Sequence, residues 1–126
     1  MCGIGPFIPH KDTPFGEKSA GDVELTTLLL SCLRLIHPTV LLPATTALAS
    51  LGKDGRERGL LAGANVVMPN LSPPEVRHKY ALYNNKKSSG SESAEQLTKL
   101  QTLIQSVGMT LFIGRGDRKE ENDGNL

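Results

Sequence analysis

The chain has 126 residues, with 14 Lys plus Arg against 13 Asp plus Glu, which allows one ordinary domain and gives no electrostatic case for nucleic acid. It is 38% hydrophobic, enough for a core, but 13 Gly, 8 Pro, three Phe, two Tyr and no Trp predict short elements broken by many turns and exclude a coiled coil. The longest apolar stretch, Leu28-Leu29-Leu30 to Cys32-Leu33, is interrupted by Ser31 and falls far short of the ~20 residues a bilayer span needs. No basic segment precedes a hydrophobic block at the start, and Cys2 and Cys32 offer no disulfide framework, so the expectation is a soluble protein in the cytoplasm.

Residues 2–8 form an apolar run closed by Pro9, read as a buried strand, with a loop from Pro9 to Gly21. From Val23 to Ile36, apolar side chains recur every three or four positions behind Asp22, which predicts an amphipathic helix capped by Asp22 and stopped by Pro38. Val40-Leu41-Leu42 reads as a second strand, leading into Pro43-Ala44-Thr45-Thr46. Asp54 and Glu57 have capping-box spacing and predict a helix from Gly55 to Ala62 ended by Gly63, before a third strand over 64–68.

Ser72, Pro73 and Glu75 predict a further helix start, carrying Tyr80, Leu82 and Tyr83. The order strand–helix, repeated, with strands apolar throughout, is the pattern of a parallel sheet covered by helices. Beyond Asn84 the run Lys86-Lys87-Ser88-Ser89-Gly90-Ser91 reads as a polar linker. A capping box at Ser93 and Gln96 then opens a helix with the face Leu97, Leu100, Leu103, Ile104 and Val107, ended by Gly108. Leu111-Phe112-Ile113 offers a last strand, and 114–126 is charged, rich in Gly and Asn, and expected to be disordered.

In parallel α/β folds, ligands sit where strands end, so the groups to inspect are His10, Lys11, Asp12 and Thr13, then Thr45 and Thr46, then Met68 to Ser72. Proline turns and helix caps account for the same residues without a ligand. No nucleophile–base pair is legible: His10, His37 and His78 are scattered and no serine sits in a Gly-x-Ser-x-Gly elbow. Gly3-Ile4-Gly5 lacks the third glycine of a dinucleotide fingerprint and reads more simply as close strand packing. Cys32 falls on the apolar pattern of its helix and is expected in the core. His10 with Asp12 reads as a loop hydrogen bond, and Arg115-Gly116-Asp117 as a chance tripeptide.

Four strings carry a resemblance: residues 1–14 (MCGIGPFIPHKDTP), Leu42-Pro43-Ala44-Thr45-Thr46-Ala47, Gly55-Arg56-Glu57, and 63–70 (GANVVMPN). In this order and spacing they resemble the HydE family of FeFe-hydrogenase maturases, which are radical S-adenosylmethionine (SAM) enzymes close to biotin synthase and methylornithine synthase. The resemblance runs over about 1–86. It implies an α/β fold over 1–86, the last three strand–helix units of a TIM-type (β/α) barrel; to this, composition and patterning add a linker over 87–93, a C-terminal helix and possible strand over 94–113, and a disordered tail over 114–126.

In full-length members, the resemblance implies, a Cys-x3-Cys-x2-Cys loop holds a 4Fe-4S cluster that cleaves SAM to a deoxyadenosyl radical. That radical acts on a small iron–sulfur precursor of the hydrogenase cofactor. The present sequence contains no such loop, and 126 residues cannot close a barrel of about 250. The reading that follows is a C-terminal fragment without cluster or SAM of its own, inactive in isolation. Its expected partners are a missing N-terminal barrel half or further copies of itself, and neither nucleic acid nor membrane. The alternatives are a noncatalytic assembly module that complements a separate N-terminal half, and a fragment of a biotin synthase or methylornithine synthase relative.

By resemblance the parent's cavity would be lined here by Met1, Thr45, Thr46, Met68, Tyr80, Leu82 and Tyr83. An apolar wall with a few hydroxyls suits a site that must survive a carbon radical while holding a polar substrate end. Some family members carry three further cysteines after the last barrel helix for an accessory cluster. Residues 87–100 contain none.

Overall fold

The computed structural model describes residues 1–69, 94–114 and 116. The expected helix from Ser72 with Tyr80, Leu82 and Tyr83, the linker, and nearly all of the tail lie outside the described residues. In chain order the elements are α1 (Val23–Ile36), β1 (Pro43–Ala44), α2 (Thr46–Leu51), α3 (Gly55–Leu61), β2 (Val66–Val67) and α4 (Ala94–Ser106).

Helix α1 has the predicted bounds, for the predicted reason. Asp22 is extended, and its carboxylate accepts a hydrogen bond from the Glu24 N–H at 2.7 Å, satisfying one of the donors a helix start leaves free. At the other end the His37 N–H still donates to the Leu33 carbonyl, and Pro38 prevents continuation. Gly63 and Gly108 end α3 and α4 at φ of 110° and 76°. Each builds a Schellman closure: Gly63 N–H to Leu60 O and Ala64 N–H to Gly59 O, then Gly108 N–H to Gln105 O and Met109 N–H to Ile104 O.

Other expectations are corrected. Asp54 precedes α3 but makes no side-chain cap, because its backbone (φ −110°, ψ 15°) lies outside the extended region that aims a capping carboxylate at the first-turn N–H groups. Thr45 caps instead, accepting from the Leu48 N–H at 3.3 Å and opening α2, a six-residue helix that no periodic pattern announced. The second strand lies at 43–44 rather than 40–42, and the third is confined to 66–67. Residues 111–113 are irregular, with Phe112 and Ile113 exposed, so the last expected strand does not form.

The two strands pair in parallel, Pro43 opposite Val66 and Ala44 opposite Val67, joined by α2 and α3. Residues 1–8 are not a ladder strand, yet they run alongside β1 in the same direction. The Cys2 N–H donates to the Leu41 carbonyl at 2.8 Å, and Gly5 lies so close to Thr45 that a Cβ there would sit 2.8 Å from Oγ1. Along this segment exposure alternates: Met1, Gly3, Gly5 and Phe7 are open, whereas Cys2, Ile4 and Pro6 are covered. That is the period of an extended chain with one packed and one open face.

The packed face meets a cluster built on Leu30, Leu42 and Leu48, joined by Cys2, Ile4, Val23, Leu33, Val40 and Ala62. A second cluster joins β1 and α3 to α4 through Ala44, Leu60, Ala64, Leu100 and Ile104. Between them, Gly59 lets α3 close on β1, since a Cβ would meet Leu48 Cδ2 at 2.8 Å and Ala44 Cβ at 3.3 Å. Cys32, expected in this core, is exposed instead: it falls on the outer face of α1, beyond the arc that Thr26 and Leu30 bury.

Candidate functional site

The site to examine lies at the carboxyl ends of the parallel segments. Thr45 follows β1 directly and Met68 follows β2, so the register that sets Ala44 opposite Val67 leaves both at the same end of the sheet. Ala44 and Val67 pack toward α3 and α4. Because side chains alternate along extended chain, the residues that follow them are directed to the other face. Met68 is about half exposed.

Thr45 is half-buried, with Gly5 against it, so the two neighbouring segments meet through a hydroxyl and a bare Cα. Its oxygen accepts from Leu48 N–H, which leaves the hydroxyl hydrogen as a donor toward whatever stands beyond. Thr46, also half-buried, is the first residue of α2, and its carbonyl accepts from Ser50 Oγ at 2.9 Å. The structure thus brings Thr45, Thr46, Met68 and Gly5 to one end. Met1 belongs to the other, because Cys2 bonds Leu41, four positions before Thr45, a separation of roughly 13 Å of extended chain. Met1 is largely exposed on the open face of its segment. Tyr80, Leu82 and Tyr83 lie outside the described residues.

The loop after Ile8 is organised by its own turn. His10 Nδ1 accepts from the Asp12 N–H at 3.2 Å, and the His10 carbonyl accepts from the Thr13 hydroxyl at 2.7 Å and the Thr13 N–H at 3.1 Å. Asp12 Oδ2 lies 3.8 Å from the same ring nitrogen, so both contacts keep the turn within residues 10–13. Among the described residues no group of three or more His, Cys, Asp or Glu could hold a metal ion, and no helix is long and apolar enough to cross a membrane.

Two residues that place the site were not singled out from the sequence. Asn65 ties 64–66 to the strand before the site, accepting from Leu42 N–H at 2.8 Å and donating to the Val40 carbonyl at 3.4 Å. Arg34 gathers carbonyls from two loops, donating from Nε to Gly63 O at 2.9 Å and from Nη1 to Pro38 O at 2.6 Å and His37 O at 3.2 Å. A basic residue in the last turn of a helix is a signal for such capping. A lone Asn before an apolar run carries none.

Two short parallel strands joined by helices, with polar groups just past the strand ends, are an arrangement that carries ligand sites in many proteins. No family model matches the chain. Across 86 residues, 68% of its length, it is 46% identical to the [FeFe] hydrogenase maturase subunit HydE of Thermotoga maritima. The chain is therefore a relative of HydE, and the stretch it matches is a C-terminal part of that protein. It spans about a quarter of the length of this curated relative.

Proposed function

We propose that these residues form the C-terminal wall of a HydE-like radical SAM barrel, in support of hydrogenase maturation. In this reading Thr45, Thr46 and Met68, with Tyr80, Leu82 and Tyr83 from the following segment and Met1 lower on the same face, line the substrate cavity. The observation that carries it is the 46% identity over 86 residues. The one-sided exposure of 1–8 adds support, because an extended segment packed on one face and open on the other suits a wall with a hollow in front of it.

The residues present do not fit the family's 4Fe-4S cluster. Such a cluster takes three or four thiolates, and the sequence contains two cysteines. Cys2 is packed against the Leu30–Leu42–Leu48 cluster, and Cys32 is exposed on α1. The contribution of this segment is accordingly positional: Thr45 offers a donor, Met68 an apolar surface, and the packed helices hold both. Cluster and SAM would be held by protein outside these 126 residues, and the assembled site would work in the cytoplasm on a small iron–sulfur precursor.

The test is complementation of a HydE-deficient, hydrogenase-producing host. The 126-residue chain alone is expected to restore no hydrogenase activity, and the chain supplied together with the remainder of a HydE protein is expected to restore it. Anaerobic iron–sulfur reconstitution of the chain alone should yield neither bound cluster nor SAM cleavage. Failure of the pair to restore activity, with both pieces present and soluble, would defeat the reading.

A further inference from the structure

Gly5 stands where the backbone asks for no glycine. Among the described glycines, positive φ belongs to Gly63, Gly108 and Gly116, and Pro6 after Gly5 confines position 5 to extended conformations that any residue adopts. What excludes a side chain there is the neighbouring segment. A Cβ on Gly5 would lie 2.8 Å from Thr45 Oγ1, 3.3 Å from Thr45 Cγ2 and 3.4 Å from Thr45 Cβ. A Cβ on Gly3, two residues back on the same face, would meet nothing within 4 Å. Glycine at position 5 thus makes room for one threonine.

Neither partner can retreat as a body. Position 5 lies between two anchors of its segment, the bond from Cys2 N–H to Leu41 O at 2.8 Å and the bond from Gly21 N–H to Phe7 O at 2.7 Å, and Pro6 beside it is buried. Thr45 is fixed as the N-cap of α2, at φ −70° and ψ 155°, with its oxygen accepting from Leu48 N–H at 3.3 Å. A methyl group added at position 5 is accommodated by rotating the Thr45 side chain about χ1, which carries the oxygen away from the Leu48 N–H.

The direction of that oxygen has a second consequence. Gly5 is exposed, so the place of its missing Cβ is on the open face of the 1–8 segment, and Thr45 Oγ1 stands beside that place. The hydroxyl hydrogen, which the acceptor role toward Leu48 leaves free, is available there.

We infer that Gly5 is a positioning residue for the proposed cavity: by withholding a side chain it holds the Thr45 hydroxyl in one rotamer and leaves it open to a hydrogen-bond acceptor on the substrate. Resting on the reading under Proposed function, this gives the 1–8 segment a part in ligand selection. A group at that spot must bring an acceptor atom and fit against bare backbone. Any side chain at position 5 both turns the hydroxyl and fills the approach to it.

The experiment compares the parent with Gly5→Ala, Thr45→Ala and the double variant, with Gly3→Ala as the control for a methyl group on the same face. On the full 126-residue chain, three-bond couplings from Thr45 Cγ2 to its backbone nitrogen and carbonyl carbon report χ1, and hydrogen exchange reports the Leu48 amide. Gly5→Ala is expected to change both couplings and to speed Leu48 exchange about 5-fold, as loss of one cap bond would, while Gly3→Ala matches the parent. The chains are then paired with the remainder of a HydE protein in the complementation assay. Gly5→Ala should lower maturation at least about 10-fold in the parent background and less than about 2-fold when added to Thr45→Ala, which has no hydroxyl to misdirect.

Unchanged couplings and exchange in Gly5→Ala overturn the positioning. Changed couplings with full maturation overturn selection through this hydroxyl and leave the proposed function standing. If Gly5→Ala does not fold, the double variant is expected to fold, because the opposing oxygen and methyl are gone; a double variant that also fails would mean that the backbone itself needs glycine, and the inference falls. An inactive pair with the parent chain removes the proposed function and, with it, the cavity role of Gly5, whatever the couplings show.

Discussion

The side chain of Asn65 does the work of a missing strand residue for Leu42. Its Oδ1 accepts from the Leu42 N–H at 2.8 Å, while the backbone N–H groups of Asn65 and Val66 both donate to the Leu42 carbonyl, at 2.9 and 3.0 Å. The parallel pairing at 43–44 and 66–67 is only two residues long, so these three bonds extend it backward past the point where the ladder stops. Leu42 is itself fully buried, and an unpaired amide there would carry the cost of its desolvation.

Asn65→Ala should therefore lower stability by about 1–2 kcal/mol, the typical effect of removing an acceptor from a covered backbone N–H. Asn65→Asp keeps that acceptor and loses the weaker donation to Val40, and should cost less. Urea denaturation followed by circular dichroism separates the two, and an unchanged midpoint for Asn65→Ala would refute the stitch.

The two candidate caps give opposite expectations. Asp22→Ala should cost about 1 kcal/mol, because its carboxylate accepts from the Glu24 N–H. Asp54→Ala should change stability by less than about 0.5 kcal/mol, because no cap bond is there to lose. A side-by-side melt of the two variants decides it. Equal losses would mean that Asp54 caps in solution after all.

Gly55 is buried at the start of α3, and a Cβ built on it collides with the Leu48 carbonyl of α2. Backbone does not yield as a side-chain tip does, so Gly55→Ala should destabilise by about 1–3 kcal/mol despite the better helix propensity of alanine. A denaturation midpoint at or above the parent's would show that α2 and α3 do not cross this closely.

Thr45 serves both the fold and the proposed cavity, and two substitutions separate these roles. Thr45→Ser keeps the oxygen that accepts from Leu48 N–H, and should retain stability to within about 0.5 kcal/mol. Thr45→Val keeps the shape and loses the acceptor and the hydroxyl hydrogen, and should cost about 1 kcal/mol. In the complementation assay Thr45→Ser should retain maturation and Thr45→Val should lose most of it. Full activity of Thr45→Val would remove this hydroxyl from the site.

The two thiols should differ in access. Cys32 is exposed and Cys2 is packed against the first core cluster, so a disulfide reagent should titrate Cys32 first and Cys2 only as the fold opens. Comparison of Cys2→Ser with Cys32→Ser under native conditions assigns the phases. Equal rates would contradict the packing of the 1–8 segment.

Local chemistry made several elements legible before any coordinates. Helix α1, its Asp22 cap and the glycine closures at Gly63 and Gly108 depend on residues within one or two turns of each other, and each was read at its observed position. The resemblance to HydE was also carried by contiguous strings, and 46% identity over 86 residues bears it out. What periodicity did not show was α2, which is six residues long and whose cap comes from the threonine otherwise read as a cavity hydroxyl. Nor did it show which side of α1 faces inward: Leu25, Leu29 and Cys32 are as apolar as Leu30 and Leu33.

By itself, then, the sequence determined the bounds of α1, the glycine stops after α3 and α4, and which family the strings belong to, because caps, proline stops and glycine turns act over a few bonds. Only the tertiary structure decided which apolar faces are covered, where the ladder forms between 43–44 and 66–67, and that Asn65 secures Leu42. Those outcomes are settled by contacts between residues that are many turns apart in the chain, from Leu30 against Leu42 to Ala44 opposite Val67. Burial on one face of α1 is a choice among chemically equivalent stripes that only the neighbours can make.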